Sequence, residues 1–156
     1  MGRKKLFTGA LTAVFLVTLG ASPVVWADFN DGVAAYEAGN YKAAFDEWLP
    51  LAQNNDPAAM RNIGHMYRRG LGVDQDYSKA MEWYLKAAAQ RFAKAQYSIG
   101  FMYENGFGVP EDCGKAMTWY RKAATQGDAK AQFQIGVTFA EGHRVAQNYN
   151  NAMQWY

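Results

Sequence analysis

The sequence predicts an all-α solenoid, a row of stacked helix–turn–helix hairpins behind an N-terminal export signal. Three observations carry this expectation: a 36-residue period, an apolar stripe of helical spacing within each period, and a basic-then-apolar N-terminus.

The signal comes first. Arg3, Lys4 and Lys5 precede an uncharged apolar run from Leu6 to Ala21, and Val25-Trp26-Ala27 places small or medium residues before a cut between Ala27 and Asp28. This is the layout of a secretory signal peptide over residues 1–27, and it implies a periplasmic or secreted mature chain. The rival expectation is an uncleaved membrane anchor, since residues 6–27 nearly reach spanning length. Gly20, Ser22 and Pro23 interrupt that run.

Export changes the charge. Lys+Arg 16 against Asp+Glu 14 give the 156-residue chain +2, but three basic residues and no acid leave with the signal, taking the mature chain to −1. Nucleic-acid binding needs clustered Lys and Arg, so that class is disfavoured. Nothing in the mature composition calls for a membrane. A single cysteine excludes an internal disulfide framework. Tyr 10, Phe 9 and Trp 5 beside Gly 15 pose the remaining question: core or ligand site.

The repeats answer part of it. Ile63-Gly64 returns as Ile99-Gly100 and Ile135-Gly136, and Trp83-Tyr84 returns as Trp119-Tyr120 and Trp155-Tyr156. Residues 57–92 and 93–128 agree at 18 of 36 positions, and 129–156 agrees with the second unit at 12 of 28. In the second unit Ala95, Ile99, Met102 and Tyr103 form one helical stripe, called helix A. Gly106 supplies a left-handed helix end and Gly108 a second turn. Asp112 caps the following helix B, as Asp76 and Asn148 do in the other units. Ala116, Trp119, Tyr120, Ala123 and Ala124 make the stripe of helix B. No hairpin buries both stripes alone, so neighbours stack.

Residues 28–56 read as a shorter hairpin, Tyr36-x-x-Gly39-x-Tyr41-x-x-Ala44-x-x-x-Trp48-x-x-Leu51, with about five fewer turn residues. Asp56-Pro57 then gives the next unit a cap and a first-turn proline. The third unit, 129–156, is incomplete: it stops at Tyr156 on two stripe residues, and Arg144 stands where Gly72 and Gly108 stood. A distorted third turn is therefore expected. The open end points to missing C-terminal repeats or a docking partner, because solenoid ends need polar caps.

The pattern Ala-Gln-x-x-Ile-Gly-x-x-Tyr-x-x-Gly-x-Gly-Val, followed by Lys-Ala-Met-x-Trp-Tyr-x-Lys-Ala-Ala, resembles the Sel-one-like repeat (SLR) family of the tetratricopeptide superfamily. The resemblance covers residues 57–156, and 28–56 is similar to a plain tetratricopeptide unit. It implies a right-handed superhelix whose concave face binds peptides or proteins, an adaptor without catalysis. Members braced by disulfides carry cysteine pairs. This chain has only Cys113, so a β-lactam-binding activity is not carried over.

Candidate chemistry is sparse. His65 and His143 lack the spaced carboxylates or thiolates of a metal site, and no nucleophile-elbow or zinc-helix motif is present, so no metal, cofactor or catalytic residue is expected. Gly70-Leu71-Gly72-Val73 follows a helix rather than a strand, which makes it an interhelical turn and not a phosphate loop. The tryptophans at 48, 83, 119 and 155 are read as core residues at one repeating phase.

Helix A positions that change between units are more informative. Arg61, His65 and Arg68 become Tyr97, Phe101 and Glu104, then Phe133, Val137 and Ala140, all on one helical face. That face is expected to bind a partner segment with acidic and apolar parts. The leading function is thus an exported interaction module. The alternatives are an exported hydrolase acting on the envelope, including a β-lactam-interacting one, and a membrane-anchored scaffold.

Overall fold

The computed structural model describes residues 28–141 and residue 150. Among the described residues every regular element is helical. The first hairpin is α1 (Phe29–Glu37) and α2 (Tyr41–Gln53); the next is α3 (Pro57–Arg69) and α4 (Tyr77–Ala89). A third pairs α5 (Ala93–Asn105) with α6 (Cys113–Ala124), and α7 (Ala129–Glu141) opens the last unit. The all-α expectation holds. The signal peptide with Ala27, the third turn with His143 and Arg144, the cap at Asn148 and the end at Trp155-Tyr156 lie outside the described residues.

Helix starts follow the sequence. The side chains of Asp56, Asp76 and Asp112 accept from the backbone N–H of Ala59, Lys79 and Lys115, at 2.7, 2.9 and 2.8 Å. Those backbone bonds hold the carboxyls of Asp76 and Asp112 below their ordinary pKa. Asp28 and Asp128 cap α1 and α7 in the same way, while Phe92 at the start of α5 has no side-chain acceptor to offer. Gly106 ends α5 at φ 66°, the left-handed conformation expected of it.

The core stacks small residues against rings. A Cβ on Gly64 would lie 2.8 Å from the ring of Tyr84, and one on Gly100 would lie 2.6 Å from the ring of Tyr120. In the first hairpin Gly32 takes this role, with the Trp48 indole 2.3 Å from its hypothetical Cβ. Trp48 is therefore the counterpart of Tyr84 and Tyr120. It is not the counterpart of Trp83 and Trp119, and the reading of the tryptophans at one phase is corrected here. The shared partner sets the phase: Gly32 and Trp48 are sixteen positions apart, Gly64 and Tyr84 twenty, so the first turn is shorter by four residues.

Burial follows the same division. Trp48 is buried, and its Nε1 donates to the carbonyl of Phe29 at 3.1 Å. Trp83 and Trp119 are only half-buried, packing one side on the core. The ammonium groups of Lys86 and Lys122 lie over their rings, 4.3 and 4.1 Å from the centroids. These two tryptophans face the outside of the B-helix layer, where a lysine covers the exposed face of each.

Each long turn also fastens one unit to its predecessor. A Cβ on Gly72 would stand 2.6 Å from the backbone of Tyr41, and one on Gly108 would stand 2.5 Å from Cβ of Tyr77. Phe107 in the same turn stacks on Tyr77 with ring centroids 5.1 Å apart. These glycines therefore permit close approach between units as well as a turn within one.

Candidate partner-binding face

The first helices of the hairpins stand side by side. The rings of Tyr36 on α1 and His65 on α3 are 6.2 Å apart, the guanidinium of Arg68 on α3 lies 5.1 Å over Phe101 on α5, and Gln134 on α7 donates to Glu104 on α5 at 2.9 Å. Arg61 on α3 and Lys130 on α7 line a common cleft although α5 lies between them. Long side chains from α3 and α7 thus reach one cleft across α5.

The positions singled out in the sequence do share this face, but they are not equally free. The charge of Arg68 acts on the buried phenol of Tyr84, and Glu104 accepts from Tyr120 Oη at 2.7 Å. The same repeat position, basic in one unit and acidic in the next, thus serves the buried tyrosine of its own hairpin. Burial, and then the bond to Glu104, push the Tyr120 phenol well above its ordinary pKa. Positions 68 and 104 each stand by the buried phenol of their own hairpin, in addition to whatever partner the face meets.

The other rings divide in the same manner. Tyr97 is half-buried against Tyr120 at 5.4 Å, and Phe101 packs on Phe107 at 5.8 Å, whereas Phe133 is 58% exposed. Arg61 is half-buried; its Nη1 donates to Asn62 at 3.2 Å, while its Nε is buried with no hydrogen-bond partner.

His65 sits among cations. Burial, and then the charges of Arg61, Arg68, Arg69 and Lys130, lower its pKa from 6.5 to about 4. The imidazole is neutral at neutral pH for that reason.

A single substitution tests the phenol pairing. Glu104→Ala leaves the Tyr120 hydroxyl buried without its acceptor and is expected to cost about 1–3 kcal/mol in chemical denaturation. Adding Tyr120→Phe to that variant should recover most of the loss, because the orphaned hydroxyl is then gone. An additive double variant would show that the bond does not matter.

Two functional candidates escaped the sequence reading. Lys94 and Lys130 line the same cleft as Arg61 and Tyr97. Both lie in an Ala-Lys-Ala-Gln stretch common to units two and three, so a search for varying positions passes over them. Their signal was charge at the second residue of helix A.

The repeat geometry can now be set beside known proteins. The family model described as Sel1 repeat matches residues 57–92, 93–128 and 129–156. The chain belongs to the Sel1 repeat family.

Solved Sel1 repeat structures resemble it over most of its length. A Sel1 repeat protein from Oxalobacter formigenes is 41% identical, with a TM-score of 0.73, over 83% of this chain and 53% of that one. The protein c5321 of uropathogenic Escherichia coli, a protective antigen displaying an SLR fold, is 32% identical. It matches with a TM-score of 0.70 over 81% of this chain and 28% of its own. The chain thus spans about half the length of the first and little more than a quarter of the second. No match was found among the curated proteins.

Sel1 repeats are typically scaffolds for protein–protein interaction and generally not enzymes. The Sel1 turn Gly70-Leu71-Gly72-Val73 connects α3 to α4 as an interhelical turn. Among the described residues no group of three His, Cys, Asp or Glu stands together in a way that would hold a metal ion, and no helix is long and apolar enough to cross a membrane. Cys113 is half-buried at the start of α6.

Proposed function

We propose that this chain is an exported interaction module that binds a peptide or protein segment on its concave A-helix face. The observation that carries the reading is the make-up of that face. Arg61, His65, Tyr97, Phe101 and Phe133 are all at least partly exposed on α3, α5 and α7, and they mix rings with cations. A curved surface of this composition encloses a segment on several sides, and aromatic and arginine side chains are the usual energetic anchors of such contacts. Export rests on the basic and apolar pattern of residues 1–27 and the cleavage position at Ala27 and Asp28.

The test is capture from an envelope fraction by the mature chain. Phe101→Ser together with Phe133→Ser should reduce the captured partner at least tenfold while the circular dichroism spectrum stays helical. Tyr97 is kept intact in this variant because it packs on Tyr120. Glu82→Ser with Arg121→Ser on the B helices should capture as the wild type does. Equal capture by both variants would remove the concave-face assignment. Expression of the full chain should yield a mature N-terminus at Asp28 by mass; an intact Met1 end overturns export by cleavage.

A further inference from the structure

The cleft between Arg61, Lys94, Tyr97 and Lys130 has a chemistry of its own. It encloses about 440 Å³ and is closed on one side by the Gly127-Asp128-Ala129 turn leading into α7. Three cations line it, one from each of α3, α5 and α7, against the single carboxylate of Asp128. Asp128 is already engaged, accepting from the N–H of Ala131 at 2.9 Å to cap its helix. Among the described residues Arg61, Lys94 and Lys130 have no ion-pair partner. The buried Nε of Arg61 has no hydrogen-bond acceptor either. A buried guanidinium donor without a partner is costly, and an anion at the same guanidinium would offset that cost through its charge. The Tyr97 phenol lines the cleft as well, and burial, with Glu104 and Asp128 nearby, raises its pKa.

We infer that this cleft is the seat for a pair of acidic side chains in the bound peptide. The inference rests on the proposed binding function and names the chemistry of the segment. The lining leaves two positive charges in excess, which two carboxylates neutralise. They can divide between the guanidinium of α3 and the two ammonium groups of α5 and α7. A compact phosphate dianion would have to sit whole beside Asp128, whose charge opposes it. A nucleic-acid backbone needs a longer track of cations than these three, and the mature chain carries no net positive charge. A guanidinium that offers two parallel N–H groups suits a planar carboxylate.

The experiment is selection from a displayed library of random twelve-residue peptides whose C-termini are fused, so that only side-chain carboxylates are on offer. The wild-type chain should enrich peptides with adjacent or near-adjacent Asp and Glu. Selection on a chain carrying Lys94→Gln and Lys130→Gln, or on an Arg61→Gln chain, should still yield peptides but lose that enrichment. For one enriched acidic peptide, each variant should weaken binding at least tenfold. Replacing the two acids by Gln or Asn in the peptide should do the same.

In nuclear magnetic resonance the His65 pKa, lowered by burial and then by four cations, should rise when the acidic peptide binds, because two of those cations, Arg61 and Lys130, are then neutralised. Peptides enriched without acids, or acid enrichment unchanged by the variants, would sink this inference and leave concave-face binding standing. Enrichment confined to a second library with free C-termini would replace side-chain acids by a chain end. If the wild-type chain enriches no peptide at all, both readings fall together.

Discussion

A Gly100→Val chain is expected to lose about 3 kcal/mol of unfolding free energy, seen as a lower urea midpoint with an unchanged slope. The new Cβ would stand 2.6 Å from Cδ1 of Tyr120 and 3.1 Å from the carbonyl oxygen of Ala116. The ring cannot retreat, since Tyr120 is 1% exposed and its hydroxyl is tied to Glu104. At an exposed helical site the same replacement would gain a few tenths of a kcal/mol from lower backbone entropy, so the sign of the change distinguishes the two environments. Tyr120→Leu should offset part of the loss, giving a favourable coupling in the double-mutant cycle. A Gly100→Val chain as stable as the wild type would mean that the hairpin is held by something other than this contact.

The second large effect follows from pH. The folded state holds His65 at a pKa of about 4 against 6.5 in the unfolded chain, so between those values the unfolded state binds a proton that the folded state refuses. Stability should be full above pH 6.5 and fall steadily as the pH drops toward 4, after which this group contributes no further change. His65→Phe, the residue that Phe101 supplies one unit later, should flatten that slope. Melting temperatures at pH 7, 5.5 and 4.5 for the two chains give the comparison. Identical slopes in both would show that neither burial nor the surrounding cations lower the His65 pKa.

What could be read in the sequence was whatever repeats in one dimension. The 36-residue period, the Asp caps and the Gly106 helix end are local rules, and all of those that fall within residues 28–141 appear in the structure as expected. The tryptophans were misjudged because Trp-Tyr is a single repeated pair and periodicity cannot say which ring turns inward. Only the partner across the hairpin does, Gly64 or Gly100, and the first unit shows it most clearly by offering Trp48 to Gly32. Glu104 looked like a surface variable because its bond to Tyr120 joins positions sixteen apart in different helices. The turns between hairpins were equally opaque. Asn55 and Arg91 adopt positive φ, 68° and 61°, at the position where Gly127 stands in the next unit. Only the glycine carries a sequence signal for that conformation.

The cleft was hidden for a different reason. Its cations come from three helices in three units, and their meeting depends on how neighbouring units are set against one another. Those settings are made at the contacts between units, and no single period of the sequence encodes them.

The turn that fastens each unit backward gives the array a modular grammar. Gly72 meets the backbone at Tyr41 and Gly108 meets Tyr77, which are the first residues of successive B helices. Excision of residues 57–92 by recombination would bring the Gly108 turn to rest on Tyr41, the seat that Gly72 already occupies in the intact chain. Duplication of the same segment would seat the turn of the second copy on Tyr77 of the first, as the Gly108 turn is seated now. The number of units can thus change by whole steps without a new interface having to evolve, while any insertion that is not a multiple of the repeat strands a turn without its seat. Array length, and with it the extent of the concave face, is a quantity that this fold lets a gene vary cheaply.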